Sequence, residues 1–124
     1  MNDDDLQIQL ILDHYKEPRN YGKIQNETTS ITEANPVCGD TLHFSLLIES
    51  GKLVDIRFVG QGCSISQASA SMLTEYVKGK SVSDIKKIKP EVVLGMIGIE
   101  LGPAREKCAL LSYNALMKAL APYN

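Results

Sequence analysis

The sequence predicts an α+β fold, in which a small antiparallel sheet of about three strands packs against helices on one face. The predicted elements run in the order helix, strands, helices, which is typical of that class. A chain of 124 residues is long enough for one domain with a single buried core. We find no internal repeat and no linker, so residues 1–124 are predicted to form a single domain.

The first predicted element is a helix near the amino terminus. Residues 3–5 are aspartates, which suit the positive end of a helix dipole. Apolar residues follow at helical spacing: Ile8, Ile11, Leu12 and Tyr15. Pro18 and the residues after it end the helix. His14 lies off the apolar stripe, and we interpret it as an exposed helix histidine.

A β-hairpin is the clearest sign of sheet structure. Apolar and polar residues alternate through 41–49 and again through 54–58, and Ser50-Gly51 between them suits a turn. One face of this hairpin is therefore predicted to be buried. Residues 28–34 are predicted as a further short strand that leads towards the first cysteine. His43 falls on the more polar face, and we interpret it as structural.

Helices are predicted to fill the second half of the chain. Ser64 and Gln67 have the spacing of a capping box, with Ser64 as the N-cap, and Gly79 ends that helix. Cys63 would then lie just before a helix N-terminus, where the dipole and free N–H groups favour a thiolate. Three more helices are predicted over residues 81–88, 90–99 and 104–120.

Charge and hydropathy argue against several classes of protein. A net charge of -2 and a pI near 5.6 argue against non-specific nucleic-acid binding. No run approaches the roughly 18 apolar residues that span a bilayer, and no apolar segment of a secretory signal follows the acidic amino terminus. We therefore expect a cytoplasmic protein that binds neither nucleic acid nor membranes. Three cysteines cannot all pair internally, and in a reducing compartment such thiols are more often buried, catalytic or metal-bound.

The residues that carry chemistry are three thiols and one carboxylate: Cys38, Asp40, Cys63 and Cys108. Thiolates suit Zn²⁺, Cu⁺ or iron–sulfur clusters, and three of them with one oxygen ligand complete a tetrahedral zinc site. Gly39 lets the backbone fold tightly between the first two. Spacing alone is a weak signal, and it leaves open the alternative of three independent buried or spare thiols.

Asp40 and Lys107 would shape the properties of such a site. A carboxylate holds a soft metal less firmly than a thiolate does, so Asp40 would be the weak corner through which a metal or a partner's group exchanges. Lys107 precedes Cys108 and would offset part of the negative charge of the ligands, or lower the pKa of a free thiol. The alternative for Lys107 is an ordinary solvated lysine, and the residues do not decide between the two.

Four motifs spread over nearly the whole chain resemble the IscU/SufU family of iron–sulfur cluster assembly scaffolds, which includes the amino-terminal domain of NifU. The motifs are Asp13-His14-Tyr15-Lys16-Glu17-Pro18-Arg19-Asn20, Val37-Cys38-Gly39-Asp40, Gly60-Gln61-Gly62-Cys63-Ser64-Ile65-Ser66-Gln67-Ala68-Ser69-Ala70-Ser71 and Lys107-Cys108-Ala109-Leu110-Leu111. Three cysteine motifs in this order and at this spacing are highly specific.

The resemblance implies a function and a set of site residues. Such proteins accept persulfide sulfur from a PLP-dependent cysteine desulfurase, assemble a [2Fe–2S] cluster and pass it to acceptor proteins. Isolated members often hold Zn²⁺ at the same site. The motif match implies that the metal ligands are Cys38, Asp40, Cys63 and Cys108. It also makes Cys38 and Cys108 the candidate persulfide acceptors.

The sequence departs from each branch of this family. Lys107 stands where the IscU branch has a histidine, and a lysine ammonium has no lone pair for a metal. The short gap between Cys63 and Cys108 leaves no room for the insertion typical of SufU. Residues 101–105 differ from the Leu-Pro-Pro-Val-Lys motif that an Hsp70-type chaperone recognises, which puts that partner in doubt. The alternative function is therefore a SufU-like, zinc-bound sulfur acceptor that activates its desulfurase without acting as a scaffold.

Overall fold

The three strands of the fold follow one helix and precede four others along the chain. A computed structural model describes residues 3–124. The elements along these residues are α1 (Asp3–Lys16), β1 (Thr29–Asn35), β2 (Asp40–Glu49), β3 (Lys52–Gln61), α2 (Ser64–Val77), α3 (Val82–Lys86), α4 (Pro90–Ile97) and α5 (Pro103–Leu120). The predicted α+β class, with its single three-stranded sheet, is confirmed.

The sheet is an antiparallel meander in the order β1-β2-β3. The predicted hairpin is β2 and β3, whose register shifts between Leu47 and Ile48. Alternate side chains of each hairpin strand are fully buried on one side of the sheet: Leu42, Phe44 and Leu46 in β2, and Ile56 and Phe58 in β3. Leu53, beyond the register shift, is fully buried as well. The connection between β1 and β2 is short, because Asn35 pairs with Asp40 and only four residues lie between them. This connection carries Cys38.

Helices α2 and α5 cover the buried side of the sheet and pack against each other. Leu73 of α2 and Leu116 of α5 belong to the same core as the strand residues. A second apolar cluster joins Ile11 of α1 to Ile65 of α2 and Cys108 of α5. The third cysteine is therefore anchored in the packing between helices. None of the helices in residues 3–124 combines the length and apolar character needed to cross a bilayer.

The exposed position predicted for His14 is wrong. His14 is 5% exposed, and its Nδ1 lies 2.7 Å from the Ser71 hydroxyl of α2. The Arg19 backbone N–H donates to the same hydroxyl at 2.9 Å. Burial, reinforced by the Arg19 guanidinium, lowers the pKa of His14 below its ordinary value, although Glu75 opposes this. His14 thus helps to attach α1 to α2.

Candidate metal centre

The loop between β1 and β2 is built on Asn35. The Asn35 carbonyl accepts hydrogen bonds from the backbone N–H groups of Cys38, at 3.2 Å, and Gly39, at 2.9 Å. Its side-chain Oδ1 accepts a third, from Val37 N–H at 3.2 Å, in the manner of an Asx turn. Gly39 has a φ of 71°, in the left-handed region that glycine adopts at little cost. Cys38 is consequently held on an exposed turn.

Asp40 begins β2 and has no exposed surface. Its Oδ1 accepts a 2.8 Å hydrogen bond from the backbone N–H of Cys63, and its Oδ2 lies 3.7 Å from the Cys63 sulfur. Gly62 makes this approach possible, because a Cβ there would lie only 2.1 Å from Asp40 Oδ1. One oxygen of this carboxylate is thus fixed by the backbone, while the other faces a cysteine.

Cys63 is the N-cap of α2, so the prediction of Ser64 as the N-cap is wrong by one residue. The Cys63 sulfur accepts from the backbone N–H of Ser66 at 3.5 Å, and the extended backbone of Cys63 precedes the first helical residue, Ser64. The bond between Cys63 N–H and Asp40 draws Cys63 into this position. The predicted location of Cys63 beside a helix N-terminus is nevertheless confirmed.

Cys108 lies in the first turns of α5 and is 2% exposed. Its Sγ is 2.9 Å from the Sγ of Cys38, and the side-chain amide of Asn35 donates to it at 3.9 Å. Burial raises the pKa of the Cys108 thiol well above its ordinary value, and contacts with Cys38, Asp40 and Cys63 raise it further. The site therefore disfavours a thiolate at Cys108 unless positive charge compensates it.

The structure brings together the residues that the sequence singled out. One ligand atom from each of Cys38, Asp40 and Cys108 lies within 4.8 Å of the other two. Cys63 adjoins this group through its contact with Asp40 Oδ2. Lys107 is exposed and lines a groove beside Asn35, so its influence on the site stays a prediction.

The donor set fits a soft metal ion or an iron–sulfur cluster. Zinc bonds of about 2.3 Å to sulfur place two tetrahedral thiolate ligands roughly 3.8 Å apart. The 3.7 Å between Cys63 Sγ and Asp40 Oδ2 is close to this spacing, and the 2.9 Å between Cys38 and Cys108 requires only a sub-ångström adjustment. Without a bound cation, the negative charge of the buried Asp40 carboxylate among three sulfurs would be poorly compensated. A metal ion at this site would supply the missing positive charge.

Two residues that contact the candidate ligands were missed from the sequence. Asn35 contacts both the Cys38 loop and Cys108, and Gly62 leaves room for the carboxylate of Asp40. The Asn35-Pro36 pair was a local turn signal. Nothing in the sequence indicated that Asn35 reaches a cysteine 73 residues away.

The relatives found by comparison with known proteins are consistent with one another. Residues 7–124 match the NifU-like N terminal domain family. The zinc-dependent sulfurtransferase SufU of Bacillus subtilis is 40% identical, covering 97% of this chain and 92% of the relative. The iron–sulfur cluster assembly scaffold protein IscU of Escherichia coli K12 is 33% identical, covering 91% and 90%. A crystal structure of a putative SUF-system scaffold from Fervidobacterium islandicum superposes with a TM-score of 0.76 at 29% identity, covering 90% of this chain and 94% of that one.

Proposed function

Because the chain belongs to the NifU-like N-terminal domain family, we propose that it is an iron–sulfur cluster assembly scaffold. It accepts persulfide sulfur from a PLP-dependent cysteine desulfurase, assembles a [2Fe–2S] cluster and transfers that cluster to acceptor proteins. The ligands are Cys38, Asp40, Cys63 and Cys108. The observation that carries the proposal is the convergence of these four residues, from three separate parts of the chain, on one site.

Of the two candidate acceptors, Cys38 and Cys108, Cys38 is the first in this proposal, because it is exposed on a loop while Cys108 is buried. The Cys38 thiolate attacks the terminal sulfur of the desulfurase persulfide. A new S–S bond forms at Cys38 as the old one breaks, and the desulfurase cysteine leaves as a thiolate. Cys108, 2.9 Å from Cys38, is the second acceptor and takes the same sulfur by an identical exchange.

A bound Zn²⁺ would keep its cysteine ligands as thiolates and offset the negative charge of the site. Asp40 is the weak corner, since a carboxylate competes poorly with thiolates for a soft metal. Its Oδ1 is already engaged by Cys63 N–H, so one oxygen is left free for a ligand role. Exchange of iron, zinc or cluster is therefore proposed to proceed past this carboxylate.

The second candidate function is a zinc-dependent sulfur acceptor that activates a desulfurase without assembling a cluster. The 40% identity to the Bacillus subtilis sulfurtransferase favours it, as does a lysine at position 107. Against it, that alignment runs over 137 positions, longer than the 124-residue chain itself, so the relative carries segments with no counterpart here. The alignment with the Escherichia coli scaffold runs over 117 positions.

Anaerobic reconstitution separates the two functions. The purified protein is supplied with ferrous iron, cysteine and a cognate desulfurase, and visible absorbance and desulfurase turnover are followed together. We expect the absorbance of a [2Fe–2S] cluster, transferable to an apo-ferredoxin. Faster turnover without cluster absorbance would refute the scaffold and support the sulfur acceptor, and no change in either would refute both.

Cysteine variants test the assigned roles in the same assay. Cys38→Ser should lose sulfur uptake from the desulfurase, measured as an added 32 Da by intact mass spectrometry. Cys63→Ser should still take up sulfur while losing the cluster absorbance. Glu106→Gln is the control, because this exposed α5 residue lies two positions before Cys108 in the chain and is not one of the proposed ligands. Undiminished sulfur uptake by Cys38→Ser would contradict the order of acceptors.

A further inference from the structure

We propose that Asn35 is a positioning residue that ties the Cys38 loop to Cys108 and thereby sets the spacing of the two sulfurs. The inference deepens the proposed function, on which it rests for the meaning of that spacing. Asn35 is not one of the ligands, and it acts through both ends of one side-chain amide. Its oxygen holds the loop, and its nitrogen holds the cysteine of α5.

Asn35 makes more hydrogen bonds to the Cys38 loop than to α5. The Asn35 Oδ1 accepts from Val37 N–H at 3.2 Å, and its backbone carbonyl accepts from Cys38 and Gly39. Pro36 restricts the preceding residue to an extended backbone, which agrees with Asn35 being the last residue of β1. The direction in which the Asn35 side chain leaves the strand is therefore constrained by the chain itself.

The other end of the link crosses to α5. Asn35 Nδ2 donates to Cys108 Sγ at 3.9 Å, and both residues are buried, at 8% and 2% exposed. An amide group is planar, so its oxygen and nitrogen cannot move independently. A displacement of the loop would thus be transmitted to the sulfur of Cys108, which lies 2.9 Å from the sulfur of Cys38.

The link has a consequence for sulfur and metal chemistry. Side chains that hydrogen-bond to metal ligands orient them, and their loss typically weakens metal binding by about 10–100-fold. Passage of a sulfur atom between two cysteines requires the thiolate to stay aligned with the S–S bond. By keeping Cys38 and Cys108 in contact, Asn35 would support both metal binding and the passage of sulfur between the two cysteines.

Two substitutions remove the donor but keep an acceptor for the loop. Asn35→Asp retains an oxygen for Val37 N–H and replaces the amide nitrogen with a second oxygen. Asn35→Ser retains a hydroxyl acceptor that is too short to reach Cys108. Asn114→Asp is the matched control, because Asn114 is an exposed residue of α5 that lines the groove next to Asn35. It adds the same charge near the site without touching a sulfur.

The first measurement needs no metal and no desulfurase. Metal-free protein is oxidised with diamide, and the ratio of Cys38–Cys108 to Cys38–Cys63 disulfide is read by peptide mass spectrometry. We expect the Cys38–Cys108 product to dominate in the wild type and in Asn114→Asp, and its ratio to fall at least about 5-fold in both Asn35 variants. Circular dichroism verifies that each variant is folded. An unchanged ratio in the folded Asn35 variants would overturn the inference.

The second measurement uses zinc alone. Release of Zn²⁺ to a chromogenic chelator should be about 10-fold faster in Asn35→Asp and Asn35→Ser, and within about 2-fold of wild type in Asn114→Asp. Equal acceleration in Asn114→Asp would assign the effect to charge and overturn the positioning role. If the Asn35 variants show the predicted fall in the disulfide ratio but the wild type assembles no cluster, the scaffold function fails while the role of Asn35 stands.

Discussion

Replacement of Gly62 by alanine tests whether the fold reserves space for the Asp40 carboxylate. The added Cβ would lie 2.1 Å from Asp40 Oδ1, and ordinary contact begins near 3.4 Å, so the carboxylate must move by about 1.3 Å. That displacement would stretch the 2.8 Å bond from Cys63 N–H beyond hydrogen-bonding range. The loss of a hydrogen bond to a carboxylate costs about 1.5–3 kcal/mol. A positive φ costs alanine a further energy of about 1–3 kcal/mol.

Gly22 supplies a matched control for the backbone strain. Its φ is 134° against 139° for Gly62, and a Cβ at Gly22 would meet no atom within 4 Å. Urea unfolding in the presence of a chelator should therefore show Gly62→Ala less stable than Gly22→Ala by about 2 kcal/mol. Equal losses in the two variants would mean that the backbone alone accounts for the effect. The reasoning about Asp40 would then be refuted.

Three further outcomes are expected. As pH falls, the unfolded chain binds a proton at His14 before the folded chain does, because folding lowers the pKa of His14 below its ordinary value of 6.5. Urea unfolding should therefore show stability falling below about pH 6.5, and falling less steeply in His14→Gln. Ser45→Ala should stabilise the fold by about 1 kcal/mol, because the buried Ser45 hydroxyl has no hydrogen-bond partner among the described residues. Ser69→Ala should destabilise the fold by a similar amount, because it loses the 2.6 Å hydrogen bond to the Ala109 carbonyl. Asp40→Ala should make the bound cluster less exchangeable by removing the weak corner, and unchanged loss of the cluster to a chelator would contradict that role.

Local patterns were sufficient for most of the sheet but not for the attachment of α1. Strand alternation predicted the buried side of β2 and of residues 56–58 in β3, because the pleat itself sends successive side chains to opposite faces. It was wrong at the start of β3, where Leu53 is buried and Val54 only half-buried, because the register shifts opposite these residues. The burial of His14 has a different origin. It depends on Ser71, a residue 57 positions away on another helix, and helical spacing within α1 contains no information about that partner. Of the four apolar residues at helical spacing, only Ile11 is buried.

The candidate site likewise combines features that local sequence could predict with features that depend on long-range contacts. Cys38 and Asp40 could be paired from the sequence, because they flank a short turn. The N-cap was misplaced because serine is among the preferred N-cap residues and cysteine is not, which favoured Ser64. Here the Asp40 carboxylate accepts a hydrogen bond from the backbone N–H of Cys63, the observed N-cap, and local sequence contains no information about that long-range contact. The sulfur contact of Asn35 likewise depends on how β1 meets α5.

The four proposed ligands form an anchored half and an accessible half. Asp40 and Cys108 are buried, whereas Cys38 and Cys63 are exposed. A partner can therefore reach two sulfurs without opening the core. Displacing Cys38 breaks its N–H bond to the Asn35 carbonyl and that of Gly39, at roughly 1 kcal/mol each. This cost is small beside the stability of a domain, which is commonly about 5–15 kcal/mol. Movement of the Cys38 loop, with Cys108 remaining in place, is thus the least costly way for the proposed scaffold to bring a thiol to a partner's sulfur.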